Sequence, residues 1–323
     1  MNRIPPEPER QVQPAGSSYD RADRRRRSKG PWRRFRGWLS WVGVGVVAKI
    51  FPYVYYLYCW FVWKTSRRTL DLVNTPVASA IERHVGVVAL LWHEEVFSSA
   101  FAYGPLKGNA LASTSNFGRI ITQMLEVCGN VVYRGGSSQG KSRRRRVLPD
   151  MIHFMKHASH CLFGLTVDGS SGPVYELKSG GLVIARACGT PIYLGRTWFS
   201  NHVRLPTWDR TAIPLPFGRL YQNAVGPYWI PAETSDEELL KIQGHLQLEL
   251  LELAEHSMRS FEGEDAKARP RAGFPEGWTP RWAEGQVGIA YGPHDLKPDS
   301  PPPWARQRKP DEPFALAPSS RVV

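Results

Sequence analysis

Four stretches of the chain place chemically capable side chains at spacings worth weighing. The first is Trp92-His93-Glu94-Glu95, which follows the apolar run Val85 to Trp92. A histidine at the end of a buried strand is well placed to act as a general base, although a lone histidine is more often structural. The second is Asp168-Gly169-Ser170-Ser171-Gly172-Pro173, a turn-rich loop after the apolar run that opens at Leu162. A carboxylate there is either functional or a turn and capping residue. The third, Gly135 to Ser142, reads GGSSQGKS and matches GxxxxGK[ST], the phosphate loop of nucleotide triphosphatases, with Asp168 as a magnesium-holding partner. It comes late in the α/β region, is bracketed by Arg134 and by Arg143 to Arg146, and no base-specificity motif follows it. The fourth is His153, His157 and His160. Histidines four apart share a helix face and can bind metal. No carboxylate accompanies these, so the reading is a solvated basic helix with no metal.

The elements that must position these groups form an α/β pattern. Strands are expected at Val85 to Trp92, Asn109 to Ala112, Val131 to Tyr133, from Leu162, at Pro191 to Gly195 and at Leu220 to Val225. Helices are expected at Glu94 to Tyr103, at Arg119 to Cys128, at Ser142 to His157 with an interruption near Pro149, and between Lys178 and Gly189. A last amphipathic helix, Thr234 to Met258, carries Leu239, Ile242, Leu246, Leu250 and Leu253 on one face, with Ser235 and Glu238 as a capping box. Alternation of strand and helix predicts a mostly parallel central sheet flanked by helices, with sites at the carboxyl ends of the strands. Trp208-Asp209-Arg210 to Pro214-Leu215-Pro216-Phe217 reads as a fixed loop whose composition gives it no role.

The chain of 323 residues carries a formal charge of +13 and 12 tryptophans. A basic balance of this size implies an anionic partner, a membrane surface, nucleic acid or a phosphorylated substrate. The cysteines, Cys59, Cys128, Cys161 and Cys188, lack CxxC spacing, which disfavours a zinc site and a disulfide framework. Residues 1–31 are polar, with Arg24 to Arg27, and read as a disordered basic segment. Residues 32–68 hold the apolar run Trp38 to Trp63, broken by Lys49 and Pro52 and flanked by basic residues on both sides. A spanning helix wants one basic side. This segment therefore reads as a bent helical pair lying in the membrane interface, both ends cytoplasmic. Residues 69–262 form the α/β domain, and the Pro-rich residues 263–323 a mostly disordered tail.

Five blocks in order, WHEE at 92–95, RGGSSQGKS at 134–142, TVDGSSGP at 166–173, ACGTPIYLG at 187–195 and TWDRTAIPLPFGRL at 207–220, resemble the lysophospholipid acyltransferase superfamily, also called glycerol-3-phosphate acyltransferase-like. The similarity is to a bacterial branch known as a domain of unknown function, and it spans about residues 85–230. The resemblance implies a membrane-associated acyltransferase that moves an acyl chain from acyl-CoA or acyl-carrier protein, as co-substrate and with no bound cofactor, to a hydroxyl of a lysophospholipid or related glycolipid.

By this resemblance His93 is the general base. Arg134 would hold the acceptor's phosphate, with Ser137 and Ser138 as added donors. Asp168, Gly169, Ser170 and Gly172 would form the acceptor-binding loop, and Pro191 falls in a block ascribed to structure or donor binding. The superfamily signature His-x-x-x-x-Asp is altered here, because Ser98 stands where the aspartate is expected. Glu94, Glu95 or Asp168 could orient His93 instead. Phe117 and Arg119 stand where the branch usually has acidic residues. Partners implied are an anionic membrane surface, the lipid acceptor and acyl-carrier protein, without nucleic acid, at the cytoplasmic face of an inner membrane. The altered signature also admits a non-catalytic lipid-binding relative of the same fold, and the run Gly135 to Ser142 admits a nucleotide hydrolase.

Overall fold

The computed structural model describes residues 49–71, 77, 80–81, 83, 86–113, 116–134, 141–158, 161–169, 172–262 and 301–305. The chain divides into Met1–Val46 and Val47–Val323, and the description concerns the second. The expectations for residues 1–48, for the loop 135–140 with Ser137 and Ser138, for His160 and Ser170, and for most of the tail lie outside the described residues.

A seven-stranded sheet organises the fold, with strands β1 Arg67–Asp71, β2 Gly86–Leu91, β3 Asn109–Ala112, β4 Val131–Arg134, β5 Cys161–Thr166, β6 Ile192–Phe199 and β9 Arg219–Tyr228. Their spatial order is β1-β9-β6-β2-β5-β3-β4. From β6 to β4 every neighbouring pair is parallel, β9 runs antiparallel to β6, and β1 is parallel to β9. A two-stranded hairpin, β7 His202–Arg204 and β8 Ala212–Pro214, stands apart from this sheet. The helices are α1 (49–65), α2 Val96–Ala102, α3 Asn116–Val127, α4 Lys141–His157, α5 Gly180–Cys188 and α6 Asp236–Glu262, with a 3-10 turn at His93–Glu95.

Strand β2 is central, so both of its faces are covered and all six of its residues are buried. Val88, Leu90 and Trp92 join the large core under α4, α5 and α6, which also takes Met151, Met155, Leu182, Leu246 and Leu250. Val87 and Ala89 turn to the other face, against Val77, Ala80 and Ile81. Helix α5 approaches the sheet closely at Gly181, where an added Cβ would lie 2.6 Å from a Leu90 methyl. Helix α6 starts as its sequence dictates. Glu238 accepts from the Ser235 amide at 2.9 Å, and Ser235 Oγ accepts from the Glu238 amide at 3.2 Å.

Three elements differ from expectation. Helix α4 continues through Pro149 over residues 141–157 without a break. Strand β6 runs to Phe199, four residues past the expected end at Gly195, because Arg196 and Thr197 are polar yet fully buried. The stretch 207–220 divides into a hairpin turn, strand β8 and the start of β9.

Helix α1 turns Tyr55, Cys59 and Val62 inward, while Ile50, Tyr53, Val54, Leu57 and Trp60 are exposed. Among the described residues no helix is long and apolar enough to cross a membrane. The core under α6 sets the stability of the whole sheet. Leu246→Ala, at a wholly buried position, is expected to lower the unfolding free energy by about 2–5 kcal/mol in a urea titration.

Candidate functional site

The chain crosses over the sheet in opposite senses from two neighbouring strands. From β2 it leads through α2 to β3, passing β5, and from β5 it leads through α5 to β6, passing β2. The crevice between the carboxyl ends of such strands is where open α/β sheets bind ligands. His93 follows β2 and Asp168 follows β5, so both stand at this crevice. Asp168 Oδ1 accepts the backbone N–H of His93 at 2.9 Å, which fixes the start of the 3-10 turn.

The imidazole itself meets neither Asp168 nor the two glutamates that follow it. Its Nδ1 lies 2.6 Å from Asp209 Oδ2. Asp209 is 3% exposed and sits in the turn between β7 and β8. Thr211 Oγ1 donates to the same oxygen at 2.6 Å, and the Thr211 amide to Oδ1 at 3.2 Å. Burial alone would raise the Asp209 carboxyl. Hydrogen bonds from His93, Thr207 and Thr211 prevail and hold it well below the usual carboxylate range. With Nδ1 engaged, the ring can act on a substrate only through Nε2. Ser98, five residues on, donates to the Glu95 carbonyl at 3.1 Å.

Glu94 and Glu95 serve a different purpose. Glu94 Oε1 binds Arg196 Nη1 at 2.6 Å and its Oε2 binds Arg204 Nη1 at 2.9 Å, with Arg196 and Glu94 wholly buried. Burial opposes the Glu94 charge, but the two guanidiniums outweigh it and keep the carboxyl below its ordinary range. Glu95 receives the Thr197 backbone N–H and lies 3.5 Å from Arg196. Burial pushes it up to about 7.

The loop after Asp168 is clamped by Lys178, whose Nζ donates to the carbonyls of Asp168 and Gly172 at 2.7 Å each. Gly172 has φ +68, and an added Cβ would lie 2.9 Å from the Trp208 ring. Glycine is therefore required there twice over, by conformation and by space. Trp208 also packs on the His93 ring, with centroids 5.1 Å apart. It thus joins the Asp168 loop to the histidine. Asp168 is fully buried, and its Oδ2 has no hydrogen-bond partner among the described residues. Burial pushes its carboxyl up to about 6, against the pull of His93.

Arg134 ends β4 at the same end of the sheet, three strands from β2, about 14 Å away at the usual strand spacing. Its Nη2 donates to the Ser113 carbonyl at 3.1 Å. Burial and the neighbouring Arg119 lower its pKa, and Glu126 opposes them. His153 and His157 stack with centroids 4.2 Å apart on the exposed side of α4.

His93, Asp168, Gly169 and Gly172 are thus brought together, whereas Arg134 stands on the edge strand at the same end of the sheet. Sequence reading missed Asp209, Trp208, Arg196, Arg204 and Lys178. Arg196 carried a signal, since a lone cation in an otherwise apolar buried strand demands a buried carboxylate, and Glu94-Glu95 supply two. Asp209 carried almost none. A threonine on either side, two residues away, marks a self-bonded turn as readily as a catalytic one.

No family model matches the chain. It is 27% identical over 195 residues to the uncharacterized protein RP090 of Rickettsia prowazekii (strain Madrid E), covering 60% of this chain and 84% of that protein. Among solved structures it is similar to the 1-acyl-sn-glycerophosphate (LPA) acyltransferase PlsC from Thermotoga maritima, with a TM-score of 0.37 and 19% identity over 73% of this chain and 90% of that one.

The buried Asp168 carboxyl generates a prediction. An aspartate whose pKa is raised on folding adds stability below its unfolded value near 4 and loses it as pH rises through about 6. Between pH 4 and 7, wild type should therefore lose about 2 kcal/mol of stability relative to Asp168→Asn, measured by urea unfolding at both pH values. A difference between the two proteins that stays constant with pH would contradict this.

Proposed function

We propose that the protein is a membrane-associated acyltransferase that acylates a lipid hydroxyl, with His93 as general base oriented by Asp209. The observation that carries this reading is the 2.6 Å contact between His93 Nδ1 and Asp209 Oδ2. The departure at Ser98 motivates the alternative of a non-catalytic lipid binder. A buried, ionised aspartate on the ring supports the enzyme instead, because it supplies from the β7–β8 turn what the altered signature lacks.

The reaction needs no covalent acyl-enzyme. Nε2 of His93 takes the proton of the acceptor hydroxyl as its oxygen attacks the thioester carbonyl of acyl-CoA or acyl-carrier protein. A C–O bond forms, the C–S bond breaks, and the thiolate leaves with the proton returned from His93. Asp209 holds the ring's Nδ1–H and balances the charge that the imidazole gains. Arg134 suits an acceptor phosphate, since a guanidinium grips phosphate in a bidentate way. Asp168, buried with one unpartnered oxygen, suits a hydroxyl donor of the acceptor. Gly169 and Gly172 let the backbone come close to a headgroup, and Ser137, Ser138 and Ser170 complete the proposed acceptor surface.

Membrane contact is supported by the row of exposed apolar residues on α1 and by Phe217, 73% exposed, whose ring meets Phe61 with centroids 5.9 Å apart. Lys64, Arg67 and Arg68 follow this surface in the chain. Cations beside an anionic bilayer contribute about 1 kcal/mol each. The proposed location is the cytoplasmic face of the inner membrane, with anionic lipids and acyl-carrier protein as partners.

Two measurements test this reading. Purified protein in mixed micelles, offered pooled lysolipids with several acyl-CoAs and acyl-carrier proteins, should form an acylated product visible by mass spectrometry. His93→Ala should abolish that product, and Asp209→Asn should lower the rate by about 10²–10⁴. Persistence of the product in His93→Ala, or no product from folded wild type with any pair, would sink the enzyme reading. On the membrane side, Leu57→Glu should reduce sedimentation with phosphatidylglycerol vesicles about tenfold or more, because it removes buried apolar surface and adds repulsion. Unchanged sedimentation would exclude α1 as the contact.

A further inference from the structure

The aspartate that meets His93 does not stand on the main sheet. It stands in the turn of a hairpin whose two strands have three residues each. A two-stranded hairpin of this length is not stable on its own. Something must fix its turn at hydrogen-bond distance from the imidazole. Near the outer end, Leu215 N donates to the Asn201 carbonyl at 2.8 Å and Tyr58 Oη to the Pro214 carbonyl at 2.7 Å. The His202 ring stacks on Trp198, with centroids 4.6 Å apart. These contacts lie at the end of the hairpin away from Asp209.

Arg204 is different in position. It is the last residue of β7 before the turn, paired with Ala212 across the hairpin. Its guanidinium passes over the Trp198 ring at 4.9 Å and ends on Glu94 Oε2 at 2.9 Å. Glu94 is the residue next to His93, and its other oxygen is held by Arg196 from within β6. The two strands of contact are therefore parallel. His93 meets Asp209, and its neighbour Glu94 meets Arg204, five residues earlier on the same hairpin. A guanidinium on a fixed, wholly buried carboxylate is a directional restraint, stronger than a neutral hydrogen bond.

We infer that Arg204 is a positioning residue, and that its ion pair with Glu94 seats the β7–β8 turn so that Asp209 reaches His93. Arg204 touches neither the reacting atoms nor the imidazole, and acts through Asp209 alone. Its loss leaves Glu94 still paired with Arg196, so the core keeps its charge balance. The inference deepens the acyltransferase reading and rests on it for its kinetic test, and a spectroscopic test stands apart from that reading.

The experiment is a double-mutant cycle with Arg204→Gln and Asp209→Asn in the full chain, assayed for acyl transfer. Arg204→Gln alone should lower kcat about 10–100-fold and leave KM within about twofold, because it removes alignment and not substrate binding. In the Asp209→Asn background the same change should cost less than about twofold. Multiplying losses would overturn the inference. Independently of any substrate, the proton on His93 Nδ1 should give a far-downfield NMR signal in wild type, assigned by its absence in His93→Ala. That signal should be lost or broadened in Arg204→Gln. A signal unchanged in folded Arg204→Gln would overturn the inference, whatever the acyl-transfer assay shows. Absence of activity in wild type with the signal behaving as expected would strike the acyltransferase reading and spare the positioning role. Should Arg204→Gln not fold, Arg204→Lys replaces it. A lysine keeps one bond to Glu94 without the planar stack on Trp198, so signal and kcat should be intermediate, and a signal and kcat both equal to those of wild type would overturn the inference.

Discussion

A guanidinium with no solvent exposure stands inside the sheet, and the architecture of the site follows from having to neutralise it. Arg196 lies in β6 among apolar neighbours and is wholly buried. A charge in that place is tolerated only when it is paired, and here Nη2 alone is left without a hydrogen-bond partner among the described residues. Glu94 supplies the pairing from the end of β2, Ser257 Oγ accepts from Arg196 Nε at 2.9 Å from α6, and the Trp198 ring lies 4.2 Å beneath the guanidinium. One side chain thus ties β2, β6 and α6 at the carboxyl end of the sheet. Breaking a buried pair by removing one partner typically costs about 3–5 kcal/mol. The turn that carries His93 is consequently among the most constrained segments of the fold.

That constraint separates the tasks of three consecutive residues. His93 faces the crevice, Glu94 turns to two arginines, and Glu95 receives the backbone of Thr197. Three carboxylates near a histidine look interchangeable in sequence, but they are not so in space. Each oxygen of Glu94 already has a cation. Asp168 is engaged by the histidine's own backbone N–H, which sets where the residue starts but not how its ring turns. Among the carboxylates of the described residues it is Asp209 that meets the ring, and it comes from more than a hundred residues downstream.

The sheet was legible because its strands obey simple rules. An apolar run such as residues 86–91, followed by a polar turn and a helix-like period, has one good solution in a two-faced parallel sheet. The leucines of α6 and its capping box were legible for the same reason, since local pattern and tertiary role agree. The failures share a cause. Strand β6 was expected to stop at Gly195 because Arg196 and Thr197 break the apolar pattern, and their partners lie about a hundred residues away in sequence. Trp208 to Phe217 reads as a fixed loop in sequence and β7 gives no signal at all, because three-residue strands such as His-Val-Arg and Ala-Ile-Pro have no period to detect. His93 and the Asp168 loop could be proposed from residues and their order. Asp209 could not, because its importance is a distance across the fold and not a pattern along the chain.

The site therefore joins two regimes. On the inner side lies a buried network of charge that holds the histidine's turn rigid. On the outer side lie Trp208, 40% exposed against the ring, and the exposed apolar residues of α1 and of the turn at Phe217. Under the proposed reaction, a base acting on a lipid hydroxyl would need both. It needs an imidazole whose orientation does not depend on water, and it needs an apolar approach along which an acyl chain can lie. The position five residues after His93 is buried, and Ser98 there bonds the Glu95 carbonyl and not the imidazole. Bringing the aspartate instead from a hairpin at the outer rim places the carboxylate between the two regimes. The Trp208 that precedes it packs on the Asp168 loop at Gly172, so the residue that would align the base and one that would wall the proposed acceptor belong to one short segment of chain.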